Sequence, residues 1–132
     1  MPASQRLNIS SGTTWETVAG YSRAVRIGNS VSVAGTTATD EQGQVVGSGD
    51  VYAQTVYAIR KIERALHQAG ASLADVVRTR IYIVNAPDWE AAARAHGEFF
   101  SAIRPVNTLV VVKALIGEQY LVEVEADALI QE

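Results

Sequence analysis

Near the end of the chain, Glu123, Glu125 and Asp127 stand at alternate positions. In an extended strand, residues two apart share a face, so these three carboxylates project together. Held in a cleft, one of them becomes a general acid/base, because burial and like-charged neighbours both raise a carboxyl's pKa toward neutrality. The same spacing also fits a solvated face, or ion pairs with Arg78 and Arg80 of another strand. His96 is a second candidate. It lies at helical spacing between Trp89 and Phe100, whereas His67 falls off the stripe of its own helix. A histidine on an apolar face is either a proton shuttle or a hydrogen-bonded packing residue. The run Gly35-Thr36-Thr37-Ala38-Thr39-Asp40 offers hydroxyls and backbone N–H groups after a strand. It lacks the glycine spacing and lysine of a phosphate loop, and plain turn chemistry accounts for it as well as ligand binding does.

Other chemistries are excluded by composition. There is no cysteine, hence no disulfide, no thiolate nucleophile and no cysteine-based zinc site. One candidate histidine and no recognisable ligand spacing predict no metal. The absence of a G-x-S-x-G elbow argues against a serine hydrolase. Acidic residues outnumber basic ones 14 to 11, for a net charge of −3, and no basic stripe is present, so nucleic acid is not an expected partner. The first residues lack the apolar core of a signal peptide, and no segment approaches the roughly 20 apolar residues of a membrane span. A soluble, cytoplasmic protein without a membrane partner is the expectation, and the lack of cysteine suits a reducing compartment.

The positioning elements follow from periodicity. The 132 residues, 48% hydrophobic and 19% charged, suit one domain over residues 1–132. Residues 22–27 and 30–34 flank Gly28-Asn29, a hairpin signal. Before them, residues 10–17 read as a polar loop whose Trp15 packs against the body of the protein. Over residues 50–69, Val51, Thr55, Ile59, Ile62, Leu66 and Ala69 form one apolar helical stripe, with Ser48 or Asp50 as N-cap and Gly70 as the stop. Residues 76–84 alternate, with Val77, Thr79, Ile81 and Ile83 on one face and Arg78, Arg80 and Tyr82 on the other. A second helix carries Trp89, Ala93, His96, Phe100 and Ile103 on its stripe, between Pro87 and Pro105. Strands over 108–115 and 120–130 close the chain. The order β-β-α-β-α-β-β, with a small extra strand at residues 6–9, predicts an α+β two-layer sandwich. Its helix-free sheet face is too apolar for water, which predicts cover by further copies of the chain.

These segments resemble the Rid family, also called the YjgF family. Residues 20–29 (GYSRAVRIGN) and 32–36 (SVAGT) are similar to its first hairpin, and residues 69–79 (AGASLADVVRT) to its helix-to-strand junction. Residues 104–108 (RPVNT) and 122–126 (VEVEA) resemble its carboxy-terminal signature, so the likeness spans nearly the whole chain.

The resemblance implies a chorismate-mutase-like fold, a homotrimer, and small-molecule sites in clefts between subunits. The best-known members hydrolyse enamines and imines such as 2-aminoacrylate to a keto acid and ammonia, without a metal or organic cofactor. The family's activating glutamate falls on Glu123 and its pocket tyrosine on Tyr21. Its carboxylate-binding arginine falls on Asn107, which offers no charged bidentate fork. A pocket asparagine aligns near Ala93. Trp15-Glu16, Thr36 to Asp40 and Ala95-His96-Gly97-Glu98 are similar to relatives that lack the arginine.

Two functions fit. One is an enamine or imine hydrolase, or a related carbonyl enzyme, with Glu123 catalytic. Tyr21, Thr36, His96, Asn107 and Thr108 would then contact substrate, Thr36 and Thr108 steadying its oxygen. The other is a non-catalytic small-molecule-binding trimer. Loss of the arginine lowers the expectation for 2-aminoacrylate itself.

Overall fold

A computed structural model describes residues 5–131. Its elements are β1 (Arg6–Ile9), α1 (Thr14–Ala19), β2 (Ala24–Ile27), β3 (Ser30–Thr36), α2 (Val51–Gln68), β4 (Val76–Ile83), α3 (Trp89–Phe100), β5 (Val106–Val111) and β6 (Val122–Leu129). All six strands form one sheet in the order β1-β2-β3-β6-β4-β5. Only β4 and β5 run parallel, with α3 as their crossover; the other neighbours are antiparallel. The fold is the expected α+β sandwich, with α2 and α3 packed together over one sheet face.

The α2 stripe is buried in full: Val51, Thr55, Ile59, Ile62, Leu66 and Ala69 all lie in the core. They pack against Val122, Val124, Ala126 and Ala128, every second residue of β6. Asp50 caps the helix by accepting a 3.0 Å bond from the Ala53 N–H. Gly70 beyond its end takes φ +84°, a conformation that favours glycine. Asp50→Ala is expected to lower stability by about 1 kcal/mol, read as a shift in the urea midpoint at unchanged slope.

Four expectations change. Residues 14–19 are a helix, not a loop, so the order is β-α-β-β-α-β-α-β-β. This α1 turns its single buried residue, Glu16, inward, while Trp15 is 67% exposed. A glutamate anchors it: Glu16 accepts from the Ser11 N–H at 3.0 Å and the Ser11 hydroxyl at 2.5 Å. Burial pushes the Glu16 carboxyl up, but these bonds outweigh it and hold the pKa below the usual value. On β4, a register shift between Val76 and Arg78 leaves Val77 exposed and buries Val76 in its place. On α3, Ala92, Ala95 and Phe100 are buried and Trp89 is exposed, while Ile103, expected on the same stripe, lies exposed beyond the helix end. The short alanines face inward and let the helix sit close to its neighbours. The strands predicted over 108–115 and 120–130 are β5 and β6, joined by a loop that carries the exposed Ile116.

Candidate functional site

The uncovered sheet face holds three cross-strand rows. Register places Glu123 of β6 beside Tyr82 of β4 and Val110 of β5. The next rows are Glu125, Arg80 and Thr108, then Asp127, Arg78 and Val106. The carboxylate alternation read from sequence therefore stands on this face. The face is largely charged and polar and not the apolar one expected from the sequence; in these rows only Val106 and Val110 are aliphatic. The three carboxylates are not equivalent. Arg80 pairs with Glu125 at 3.9 Å and Asp127 at 3.5 Å. Glu125 also accepts a short hydrogen bond from the Tyr82 hydroxyl. Glu123 has neither ion pair nor hydrogen bond among the described residues.

A β-bulge shapes the ground beneath Glu123. Val33 pairs with Ala126 and Thr36 with Val124, so β3 carries one extra residue at Ala34-Gly35. Bulges re-aim side chains and break pairing beside functional sites. Here the bulge frees the Gly35 carbonyl, which accepts from Arg23 Nη2 at 2.9 Å. The Glu123 carboxylate lies directly over Gly35, in the space a Cβ would occupy. Burial raises the Glu123 pKa above the usual carboxylate value; the Arg23 guanidinium opposes that shift and the charge of Glu125 adds to it. The result is a half-buried, unpaired carboxyl able to take or give a proton.

Thr36 falls on the buried side of the bulge. Its hydroxyl donates to the Ala34 carbonyl at 2.7 Å and receives Arg23 Nη1 at 3.5 Å. It braces the bulge and is not placed to meet a ligand. The turn beyond it is held by Lys61, whose Nζ donates to the carbonyls of Thr37 and Thr39 at 2.9 Å each. Burial, then the nearby Arg23 and Arg64, lower the Lys61 pKa to about 8. Tyr21 is exposed just beyond α1.

Asn107 and His96 belong to the other face. Asn107 Nδ2 lies 2.9 Å from Thr79 Oγ1, and Thr79 Oγ1 lies 2.8 Å from His96 Nε2. Thr79 is buried and Asn107 is exposed on the edge strand β5. His96 stacks on Phe100 at 4.6 Å between ring centroids. Burial lowers its pKa, which keeps the ring neutral at physiological pH. Because the folded pKa lies below the unfolded one, the unfolded chain takes up the proton first as pH falls. Stability is therefore lost below the unfolded value of about 6.5. The thermal midpoint should fall between pH 7 and pH 5, less steeply in His96→Gln.

A single chain thus does not bring the expected residues into one site. Asn107 and Glu123 point to opposite faces, two strands apart, and Thr108 shares the Glu123 face but lies one row away. Arg23 and Thr79, which help hold these groups in place, carry no sign of that role in the sequence, and Gly35 stands there only as the first residue of the hydroxyl-rich run. A glycine preceding Thr36 next to a carboxylate strand was the one available signal, and it required the β3–β6 pairing to be seen. No three histidine, aspartate or glutamate side chains converge as metal ligands among the described residues, and no helix there is long and apolar enough to cross a membrane.

Comparison with known proteins gives one answer. Residues 12–130 match the model of the family described as endoribonuclease L-PSP. RutC of Acinetobacter baylyi, a 3-aminoacrylate deaminase, is 33% identical over 111 residues, 84% of this chain and 87% of that protein. A RutC family protein of Pyrococcus abyssi is 37% identical over 109 residues, 82% of this chain and 84% of its own. The crystal structure of a YjgF-family protein of Mycobacterium tuberculosis is 50% identical, with a TM-score of 0.86 over 96% of this chain and 100% of that one. The chain belongs to the YjgF, or Rid, family.

Proposed function

We propose that this protein hydrolyses the C–N bond of a small enamine or imine, with Glu123 as the proton-transfer group and no metal or organic cofactor. The observation that carries this reading is the unpaired, half-buried Glu123 carboxyl over Gly35, with its raised pKa. A relative named as a 3-aminoacrylate deaminase supports the same bond type. Enamine and water enter. A proton is delivered to the enamine carbon and one is lost from its nitrogen, a net N-to-C transfer that gives the imine. Glu123 then takes a proton from water as the oxygen adds to the C=N carbon and hands it to nitrogen, giving a carbinolamine; the remaining hydroxyl proton passes to nitrogen as C=O forms, the C–N bond breaks and ammonia leaves. The products are a carbonyl compound and ammonia.

The site is proposed to form between copies of the chain in a homotrimer. Asn107 and Glu123 on opposite faces reach one ligand only if different copies supply them. Val106, Val110 and Val111 on the edge strand β5 are exposed in the single chain and suit such cover. Light scattering should give three times the chain mass at micromolar concentration; a monomer there would remove the shared cleft. The family description names an endoribonuclease, but a net charge of −3 and an Arg80 occupied by Glu125 and Asp127 favour a small ligand over a polyanion.

Catalysis and mere binding separate in a trapping assay. An oxidase generates imines from amino acids or amines while semicarbazide captures whatever imine survives. An imine hydrolase lowers the rate of semicarbazone formation at substoichiometric protein. A binding protein lowers it only in proportion to the imine it sequesters.

A further inference from the structure

The hydrogen bonds at Asn107 run in one direction. Its Nδ2 lies 2.9 Å from Thr79 Oγ1 and 3.5 Å from the Thr79 carbonyl oxygen. A carbonyl only accepts, so the amide turns its NH2 group inward. Thr79 Oγ1 accepts that bond and lies 2.8 Å from His96 Nε2, to which its own proton can go. Nε2 must be unprotonated to receive it, which requires the neutral ring that burial favours. Amide, hydroxyl and imidazole form a relay whose members orient one another. It leaves Asn107 Oδ1 without a donor among the described residues, on an exposed strand at the sheet edge. Neither Asn107 nor Thr108 has an arginine or lysine as a hydrogen-bond partner among the described residues.

We propose that Asn107 presents the ligand with an acceptor, Oδ1, and that the site takes imines or enamines carrying an uncharged primary carboxamide there instead of a carboxylate. This deepens the hydrolase reading and rests on position 107 belonging to the Glu123 site. A carboxylate facing Oδ1 sets acceptor against acceptor, with no arginine or lysine bonded to Asn107 among the described residues to offset the repulsion. A carboxamide turns its NH2 toward Oδ1 and completes the relay. Sites built to bond a substrate N–H discriminate strongly against analogues without it, because the protein's own polar atom is then left unpaired. Thr79 and His96 are positioning residues, since they act through the amide they hold.

Pyruvamide and pyruvate are matched probes that differ only in this group. Titrated into the assembled protein and followed by NMR at the Asn107 side-chain amide, pyruvamide should bind at least tenfold more tightly. Asn107→Arg should reverse the order. Equal affinity, preference for pyruvate, or no binding of either at millimolar concentration would overturn the proposal. A second reading needs no variant. Nitrogen-15 shifts of His96 should report the proton on Nδ1. A proton on Nε2 would overturn the relay from which the proposal is argued, because the Thr79 hydroxyl would then accept from the ring instead of donating to it. The two readings fail separately. Imine hydrolysis that is absent while pyruvamide is preferred removes the catalytic reading alone. Hydrolysis that is present while pyruvate is preferred removes the carboxamide assignment alone.

Discussion

Glu123→Gln is expected to lower imine hydrolysis by about 10²- to 10⁴-fold, the usual contribution of a positioned general acid/base. Glutamine keeps the size and some of the hydrogen bonding but cannot hold the proton. Stability discriminates this from a structural role. A carboxyl whose folded pKa is raised costs the folded state stability once it ionises, so its contribution declines as pH rises from about 4.5 through the folded value and stays lost above it. Removing the charge should therefore leave the thermal midpoint at pH 7 unchanged or slightly higher. If Glu123 instead held copies together, the same variant would dissociate, and turnover per surviving assembly would be unchanged. Light scattering and a thermal melt on one sample separate the two cases.

Gly35→Ala should act on Glu123 without touching it chemically. The backbone at Gly35 is not in the left-handed region, so alanine fits its conformation. The added Cβ would overlap Glu123 Oε2 and lie 3.1 Å from its Cδ. The obstacle is the end of a flexible side chain, which can swing aside. Stability should change by less than about 1 kcal/mol. Turnover should fall by about 10²-fold, because a displacement near 1 Å is enough to lose a reacting geometry. A variant that melts like the parent yet hydrolyses imines at the parent's rate would show that the placement over Gly35 does not matter.

Where local periodicity alone decides burial, the sequence was read correctly. The α2 stripe and the β6 alternation each came through residue for residue, because one helix face and one strand face meet the core along their whole length. Long-range pairing is what the sequence hid. The Val77 inversion needs the register shift of β4 against β6, and the inward turn of Thr36 needs the bulge of β3 against β6. Six residues are too few to show a period, and α1 hangs on a buried glutamate rather than an apolar stripe. Around α3, helical spacing puts the large Trp89 and Ile103 on the inward stripe, but the small Ala92 and Ala95 occupy the core, and the helix ends at Phe100 before Ile103. Within the candidate site, spacing puts Glu123, Glu125 and Asp127 on one face, and only the resemblance to the Rid family separates Glu123 from the other two. The residues that support Glu123 were not legible as such. Arg23 and Gly35 stand roughly a hundred positions upstream of Glu123, and Thr79 joins Asn107 to His96 only through contacts between separate elements.

The most direct measurement is the pH dependence of kcat/KM for ammonia release from an imine, in the parent and in Glu123→Gln. With the carboxylate as base, the parent's rate should fall as pH drops through one ionisation lying above the ordinary glutamate value of about 4.3. That ionisation should be missing from the residual rate of the variant. A parent profile without it, or the same inflection retained in Glu123→Gln, would contradict the assignment of proton transfer to Glu123.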